Sequence, residues 1–520
     1  MIFLYGPPAS GKSTIGQIIA RQLNRPFIDL DQTIEQCAGI SISEIFERQG
    51  EVGFRALEKK ILMDLISNFD GVMALGGGAL LDEENRTIVE GNGQVICLNA
   101  AVEILVERLS SSGTKRPLVN RDLLNLLPQL LEKRREHYAS FPLQIDSSHG
   151  TFEELAWQTQ ILIGEFLVRG MGCDYEVKVT QHGLSTVGDS FRRQNLSGPI
   201  MVVSDENVAS LYAQEVIANL RRFAKPVVLV TFCPGEENKT INTLEQIWHD
   251  FAHHGMERGG SVVALGGGVV SDLTGFAAGT YLRGVPWVIL PTTLCAMVDA
   301  AIGGKTGIDL PQGKNLVGLF HAPRLVLSDP DTLKTLPKSE IRAGMAEVVK
   351  AGIIADKELF GLCQAGWRAI EIDWSAIISR AVAVKIKIIQ ADPYDHGLRA
   401  ALNFGHTVGH ALEKVSGFSL LHGLAVSMGM VGEARIAERL SLAQKGLVDE
   451  ITEVLIRLGL PVLLPASLDP EQVYEAMFYD KKKSLGKLNF ALPIQIGEVK
   501  VGVEVTDKHL IINALKASQS

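Results

Sequence analysis

The chain has 520 residues, enough for about three domains of ordinary size. Its 46% hydrophobic and 21% charged residues describe a globular protein with ample core, and a formal charge of −9 argues against general nucleic-acid or membrane-surface binding. Cys37, Cys97, Cys173, Cys233, Cys295 and Cys363 form no CxxC pair, no apolar run reaches about 18 residues, and the start lacks a basic leader, so a reduced, cytoplasmic protein is expected.

The apolar strand Met1–Tyr5 runs into Gly6-Pro7-Pro8-Ala9-Ser10-Gly11-Lys12-Ser13-Thr14, followed by a helical pattern at Ile15, Ile18, Ile19 and Leu23. Strand, glycine-rich turn and helix give GxxxxGK[ST] its required context, in which backbone N–H groups cradle phosphates. Gly11, Lys12, Ser13 and Thr14 would hold the nucleotide, with Lys12 on the β- and γ-phosphates and Ser13 on Mg²⁺. Phe27–Asp31 reads as a second strand, whose alternation puts Asp29 and Asp31 on one side; capping of the strand end is the alternative. Phe54-Arg55, Ala74-Leu75-Gly76-Gly77-Gly78 and Lys115-Arg116-Pro117-Leu118 follow.

This order of motifs resembles shikimate kinase over residues 1–165. The resemblance implies ATP with Mg²⁺. Asp31 would bind and activate the substrate hydroxyl, and Asp29 would stand with Ser13 at the Mg²⁺. Arg55 and Arg134 would hold the shikimate carboxylate, Gly77 and Gly78 would let backbone approach it, and Arg116, in the lid 110–118, would neutralise the moving phosphoryl. The family's Arg-x-Pro-x-Tyr is here Arg134-Arg135-Glu136-His137-Tyr138, which leaves Arg135 as an alternative clamp. A gluconate-type kinase is the rival, disfavoured by the arginines and the triple glycine.

Polar Asp146–Gly150 gives way to an amphipathic helical pattern over Phe152–Leu167, and Arg169-Gly170-Met171-Gly172 reads as a junction. Strands at Tyr175–Val179, Pro199–Asp205, Val227–Thr231, Ser261–Leu265 and Trp287–Leu290, most separated by helical stretches, suggest a parallel α/β sheet with ligands at its carboxyl ends. No GxGxxG is present, yet Gly266-Gly267-Gly268 admits a pyrophosphate, with Asp205, Glu236 and Lys239 available for ribose hydroxyls, so NAD fits. Lysines beside glycines at Lys305 and Lys314 suit a phosphate ester or, alternatively, a solvated loop. From about Asp329 the pattern is helical to near the C-terminus.

That helical part contains Gly344-Met345-Ala346-Glu347-Val348-Val349-Lys350, where a buried carboxylate needs either a metal or the cation of Lys350. It also contains Leu402-Asn403-Phe404-Gly405-His406-Thr407-Val408-Gly409-His410-Ala411-Leu412-Glu413, read as one buried helix with His406 and His410 on one face, and then His422. Two histidines and one acid would make an open zinc site.

These segments resemble 3-dehydroquinate synthase over about residues 173–515. The resemblance implies zinc (or cobalt) on Glu347, His406 and His422. It implies NAD⁺ held by Asp205, Asn207, Glu236, Lys239, Gly267, Gly268, Val269, Asp272, Thr292, Thr293, Lys314 and Thr335. Substrate falls to Arg283, Asp299, Lys305, Asn315, Lys350, Arg399, Asn403, His410 and Lys482, with Lys305, Arg399 and His410 catalytic. The family's usual glutamates are replaced by Asp395 and Leu424. Three domains are expected: a P-loop kinase (1–165), an α/β NAD-binding domain (173–328) and a mainly helical metal- and substrate-binding domain (329–515). The expected activities are phosphorylation of shikimate and conversion of 3-deoxy-D-arabino-heptulosonate 7-phosphate to 3-dehydroquinate plus phosphate, in a homodimer. The rivals are a net NAD-dependent polyol dehydrogenase in the second half, or one half that binds without turnover.

Overall fold

The computed structural model describes residues 1–111, 123–478 and 488–519. Arg116 and Lys482 lie outside the described residues. Contacts divide the chain into two units, Met1–Leu167 and Val168–Ser520.

The first unit is built on a parallel sheet of β1 (Ile2–Tyr5), β2 (Phe27–Asp29), β3 (Val72–Ala74), β4 (Gln94–Asn99) and β5 (Leu143–Asp146), in the order β2-β3-β1-β4-β5. Strand alternation sends Phe3 and Tyr5 into one apolar layer with Leu30, Phe54 and Leu62, and Ile2 and Leu4 into another with Ile15, Ile19 and Leu155. Burial on both faces explains why β1 is a continuous apolar run. β1 pairs with β3 and β4 on its two sides, so the glycine loop leaves the sheet at the point where ligands bind.

Two local expectations change here. β2 stops at Asp29, and Asp31 lies in the first turn of helix Leu30–Ala38, so strand alternation does not relate the two carboxylates. The cause is capping: Asp29 accepts the Gln32 N–H, and buried Leu30 and Ile34 hold the helix down. The helical pattern after residue 152 ends at Ile163, where Gly164 turns left-handed, and β6 (Glu165–Val168) follows.

The second unit holds β7 (Tyr175–Val179), β8 (Ile200–Asp205), β9 (Val227–Phe232), β10 (Ser261–Gly266), β11 (Trp287–Pro291), the hairpin β12 (Lys305–Leu310) and β13 (Gly313–Phe320), and β14 (Leu325–Ser328). Its parallel strands run in the order β7-β14-β11-β10-β8-β9. Lys305 and Lys314 therefore stand on an antiparallel hairpin, not a loop. The part beyond Ser328 is mainly helical, with residues 343–354 of helix Lys338–Ala355 buried throughout. A second hairpin, β15 (Asn489–Gln495) with β16 (Glu498–Glu504), interrupts the expected helical run. Among the described residues no helix is long and apolar enough to cross a membrane.

Candidate active sites

In the first unit, helix Lys12–Gln22 starts directly after Gly11, whose φ of 93 lets the loop turn its N–H groups inward. Lys12 Nζ donates to the carbonyls of Gly6 (3.0 Å) and Pro7 (2.8 Å), folded over the loop it would serve. Ser13 Oγ donates to Asp29 Oδ2 at 2.5 Å, which brings both expected Mg²⁺ residues together. Thr14 is exposed.

The triple-glycine turn packs against three charged side chains. A Cβ on Gly76 would lie 2.9 Å from Asp31 Oδ1 and 3.0 Å from Glu58 Oε1, and one on Gly78 would lie 2.5 Å from the Arg55 guanidinium. Arg55 Nη1 donates to Glu58 Oε2 at 2.6 Å. Burial raises the Glu58 pKa, the Arg55 charge opposes this, and Asp31 adds to it. The Gly77 carbonyl accepts from Arg134 Nη1 (3.1 Å) and from the Tyr138 hydroxyl (2.7 Å). Arg135 is exposed and turned toward Glu132 at 3.4 Å, so Arg134 is the arginine at the glycine turn. Glu58 was not singled out from sequence, and Tyr138 was named only as part of the Arg-x-Pro-x-Tyr motif, without a role; the signal for Glu58 was the spacing Arg55-x-x-Glu58. A cavity of about 410 Å³ is lined by Ile104, Glu107, Arg108, Ser111 and Ser148, and Arg108 also reaches the Ala9 carbonyl of the glycine loop at 3.5 Å.

In the second unit, β10 passes through Gly267 into helix Gly268–Thr280, whose first turn includes Val269. The Thr292 N–H donates to the Gly266 carbonyl, while Thr292 Oγ1 is buried without a partner among the described residues and Thr293 Oγ1 accepts the Ala296 N–H. Lys239 Nζ joins Asp272 Oδ2 and Asn315 Oδ1, each at 2.5 Å. Burial pushes the Asp272 carboxyl up to about 6, against the pull of Lys239. Lys314 lies 3.8 Å from Glu236 and 3.4 Å from Glu413. Asp205 caps a short turn by accepting the Val208 N–H, Asn207 is exposed, and the Thr335 hydroxyl bonds that of Tyr212. The glycine turn, an orphaned hydroxyl and a row of acids at the strand ends form a donor set that fits a dinucleotide.

The buried pair Glu347 and Lys350 sits one helical turn apart, with Lys350 Nζ 2.5 Å from Glu347 Oε2 and donating to the Leu402 carbonyl at 2.9 Å. Lys350 does not exhaust Glu347. Among the described residues its Oε1 accepts no hydrogen bond, and it faces His406 Nε2 at 3.6 Å and His422 Nε2 at 3.5 Å. Helix His406–Val415 begins at His406, later than expected, because Gly405 takes a left-handed φ of 79 and Leu398–Asn403 forms a separate 3-10 turn. Each imidazole is oriented through Nδ1: His406 donates to the Phe404 carbonyl and His422 to Glu413 Oε2, both at 3.2 Å. The Nε2 atoms are thereby left facing Glu347.

Burial works against charge on Glu347, yet Lys350 and the imidazoles hold its carboxyl well below the usual range. Burial and the nearby Lys350 keep His406 neutral. Burial also opposes charge on His422, but Glu347 and Glu413 outweigh it and push the imidazole up to about 10. The same two carboxylates favour a cation at Nε2. One acid and two oriented imidazoles fit a divalent metal with a position left open. The His410 ring lies 5.2 Å from that of His406 and 5.8 Å from that of His422, with ligand atoms of all three within 4.8 Å of one another.

Around this centre, Asp299 Oδ1 pairs with Lys385 Nζ at 2.6 Å, and Lys305 Nζ with Asp395 Oδ2 at 2.7 Å. Buried Arg399 donates to the carbonyls of Pro393 (2.7 Å) and Gly303 (3.3 Å). Asn403 and Arg283 are exposed, and Arg283 sits in a left-handed turn at φ 70. Lys385, Asp392 and Glu413 were missed as contributors; Glu413 lay inside the histidine motif without a role assigned. Leu424 leaves no gap at His422 Nδ1, because Glu413 is the acid there.

Family models for shikimate kinase match residues 8–161, for the 3-dehydroquinate synthase N-terminal region 229–343, and for its C-terminal region 344–483. The 3-dehydroquinate synthase of Nostoc punctiforme is 42% identical over 338 residues, covering 64% of this chain and 93% of that protein. ValA, a 2-epi-5-epi-valiolone synthase from Streptomyces hygroscopicus subsp. jinggangensis solved with NAD⁺ and Zn²⁺ bound, is 30% identical. It covers 67% of this chain and 98% of its own, with a TM-score of 0.61. A 2-deoxy-scyllo-inosose synthase complexed with carbaglucose-6-phosphate, NAD⁺ and Co²⁺ is 26% identical, covers 68% of this chain and 100% of its own, and gives a TM-score of 0.63. The chain belongs to the 3-dehydroquinate synthase family and carries a shikimate kinase domain fused ahead of the synthase.

Proposed function

We propose that the first unit phosphorylates shikimate to shikimate 3-phosphate with ATP and Mg²⁺, and that the second converts 3-deoxy-D-arabino-heptulosonate 7-phosphate to 3-dehydroquinate and phosphate. In the kinase, Lys12 leaves the Gly6 and Pro7 carbonyls for the β- and γ-phosphates, and Ser13 with Asp29 holds Mg²⁺. The cavity beside Arg108 takes the nucleotide base. Arg55 and Arg134 hold the substrate carboxylate against the glycine turn while Asp31 accepts the proton of the attacking hydroxyl. Arg116 neutralises the transferring phosphoryl.

The observation that carries the synthase reading is the convergence of Glu347 Oε1 with two Nε2 atoms whose Nδ1 positions are already bonded. Glu347, His406 and His422 would hold zinc or cobalt, and the Gly267 turn with Asp205, Asn207, Glu236, Lys239, Gly268, Val269, Asp272, Thr292, Thr293, Lys314 and Thr335 would hold NAD⁺. When bound, the metal acts as a Lewis acid on substrate hydroxyls and NAD⁺ takes and returns a hydride. The chain's own groups do the rest. Lys305, Arg399, Asn315, Arg283 and Lys482 bind the anionic groups, Lys350, Asp299 and Asn403 orient the hydroxyls, and His410 exchanges protons as the C–O bond to phosphate breaks.

The α/β part (173–328) serves the cofactor and the helical part (329–515) the metal. A homodimer in the cytoplasm is part of the same reading, and exposed Leu316, Val317 and Phe320 on β13 support the dimer. The test is to supply each substrate separately to the purified chain, with and without a strong chelator. Chelation should stop dehydroquinate formation and spare an Mg²⁺-supplemented kinase assay. Full synthase turnover in metal-free protein rejects the ligand assignment.

A further inference from the structure

Helix His406–Val415 opens without a capping side chain, since Gly405 has none to offer. The N–H groups at its start are buried in a tight crossing with helix His422–Arg439. A Cβ on Gly429 would lie 2.0 Å from the Gly405 carbonyl, and one on Gly405 would lie 2.7 Å from Met430 Cγ. The cap comes from across that crossing. Glu433, fully buried, accepts the Gly405 N–H on Oε2 at 2.7 Å and the Val408 N–H on Oε1 at 3.1 Å. One carboxylate thereby ties the residue before His406 and the second residue after it.

We propose that Glu433 is a positioning residue for the metal centre, fixing the height and rotation of His406 against Glu347 and His422. The inference rests on the reading of Glu347, His406 and His422 as ligands. Its physical basis is twofold. His422 begins the helix that carries Glu433, so the carboxylate locks the two histidine-bearing helices in register. A helix N-terminus is also positively polarised, and an anion bound there reduces the repulsion a divalent cation would meet at His406.

Glu433→Gln is the decisive variant, because it keeps the shape but turns an amide N–H toward a backbone N–H. Metal-depleted full-length protein is titrated with Zn²⁺ against a chromophoric chelator, and NAD⁺ binding is measured in parallel. Support for a ligand of this kind is commonly worth 10–100-fold in metal affinity. The variant should bind Zn²⁺ about 10-fold more weakly or worse, bind NAD⁺ as the parent does, and regain synthase turnover when Zn²⁺ is raised. A merely structural role predicts a lower melting temperature with unchanged Zn²⁺ affinity in the folded fraction, and that result overturns the proposal. Should the Gln variant not fold, Glu433→Asp decides: its shorter carboxylate reaches one N–H at most, and parental Zn²⁺ affinity is again the overturning result. His422→Ala serves as reference. Lost Zn²⁺ binding there with parental binding in Glu433→Gln rejects only the positioning role, whereas retained binding in His422→Ala rejects the ligand set itself.

Discussion

Asp395 Oδ2 lies 2.7 Å from Lys305 Nζ, and Asp395 occupies the left-handed region at φ 66. Aspartate is among the few residues other than glycine that visit positive φ readily. Both partners are partly exposed, with side chains 55% and 32% accessible, so the pair contributes little to stability. Its effect should be on where Lys305 waits for an anionic substrate. Asp395→Asn keeps the backbone preference and removes the charge. We expect KM for the heptulosonate phosphate to rise about 5-fold, the equivalent of about 1 kcal/mol, with kcat and melting temperature nearly unchanged. Steady-state kinetics check this, and an unchanged KM means the pair does not position Lys305.

Lys12→Ala should lower shikimate phosphorylation by about 100-fold or more, since it removes the cation proposed to meet the phosphates. In the structure Lys12 Nζ donates to the loop carbonyls of Gly6 and Pro7, and the fold should survive its loss. Dehydroquinate formation should be unaffected, because no synthase group stands in that loop. Parallel assays of the two activities decide it; equal loss of both in folded protein contradicts independent sites.

Both glycine turns and the converging histidines were legible in sequence because the chemistry proposed for them demands particular residues at fixed spacing. Lys12 and the Gly267 turn each follow an apolar strand, a local pattern that the fold preserves. What escaped was carried by capping and by partners distant in sequence. Asp31 left the strand because Asp29 caps a helix at that point. The histidine helix started late because Gly405 adopts positive φ, which a pattern of small and apolar residues does not reveal. Glu58, Lys385 and Glu433 read as ordinary helix residues, and their roles appear only when their partners come into contact. Strand β16 carries its signal in the alternation of Val499, Val501 and Val503, which the helical reading of this region passed over.

Asp392 accepts N–H groups from His396 (2.8 Å), Gly397 (2.7 Å) and Arg399 (3.0 Å). These bonds, that from Arg399 foremost, hold its carboxyl at about 2, below the ordinary 3.8. A depressed carboxylate stabilises the fold fully above its unfolded value and loses that contribution as pH falls through the folded one. The loop bearing Asp395 and Arg399 should therefore weaken between about pH 4 and pH 2. Asp392→Asn should melt below the parent at pH 6 and approach it as pH is lowered toward 2. A melting-temperature difference that stays constant over that range removes Asp392 as the source.

The last prediction separates the synthase from a net dehydrogenase. Conversion of the heptulosonate phosphate to 3-dehydroquinate and phosphate leaves no net oxidation, so any hydride taken from the substrate must be given back at the same site. The cofactor then has to stay in place through the whole cycle, which suits a turn whose strand is tied to the next one by the Thr292 N–H on the Gly266 carbonyl. Catalytic NAD⁺ should support many turnovers of phosphate release, and absorbance of reduced nicotinamide should stay nearly flat. A net dehydrogenase instead needs stoichiometric NAD⁺ and yields one NADH per product. Continuous recording of phosphate and of nicotinamide absorbance in one reaction distinguishes them, and NADH accumulating in step with phosphate would reject the synthase assignment for this chain.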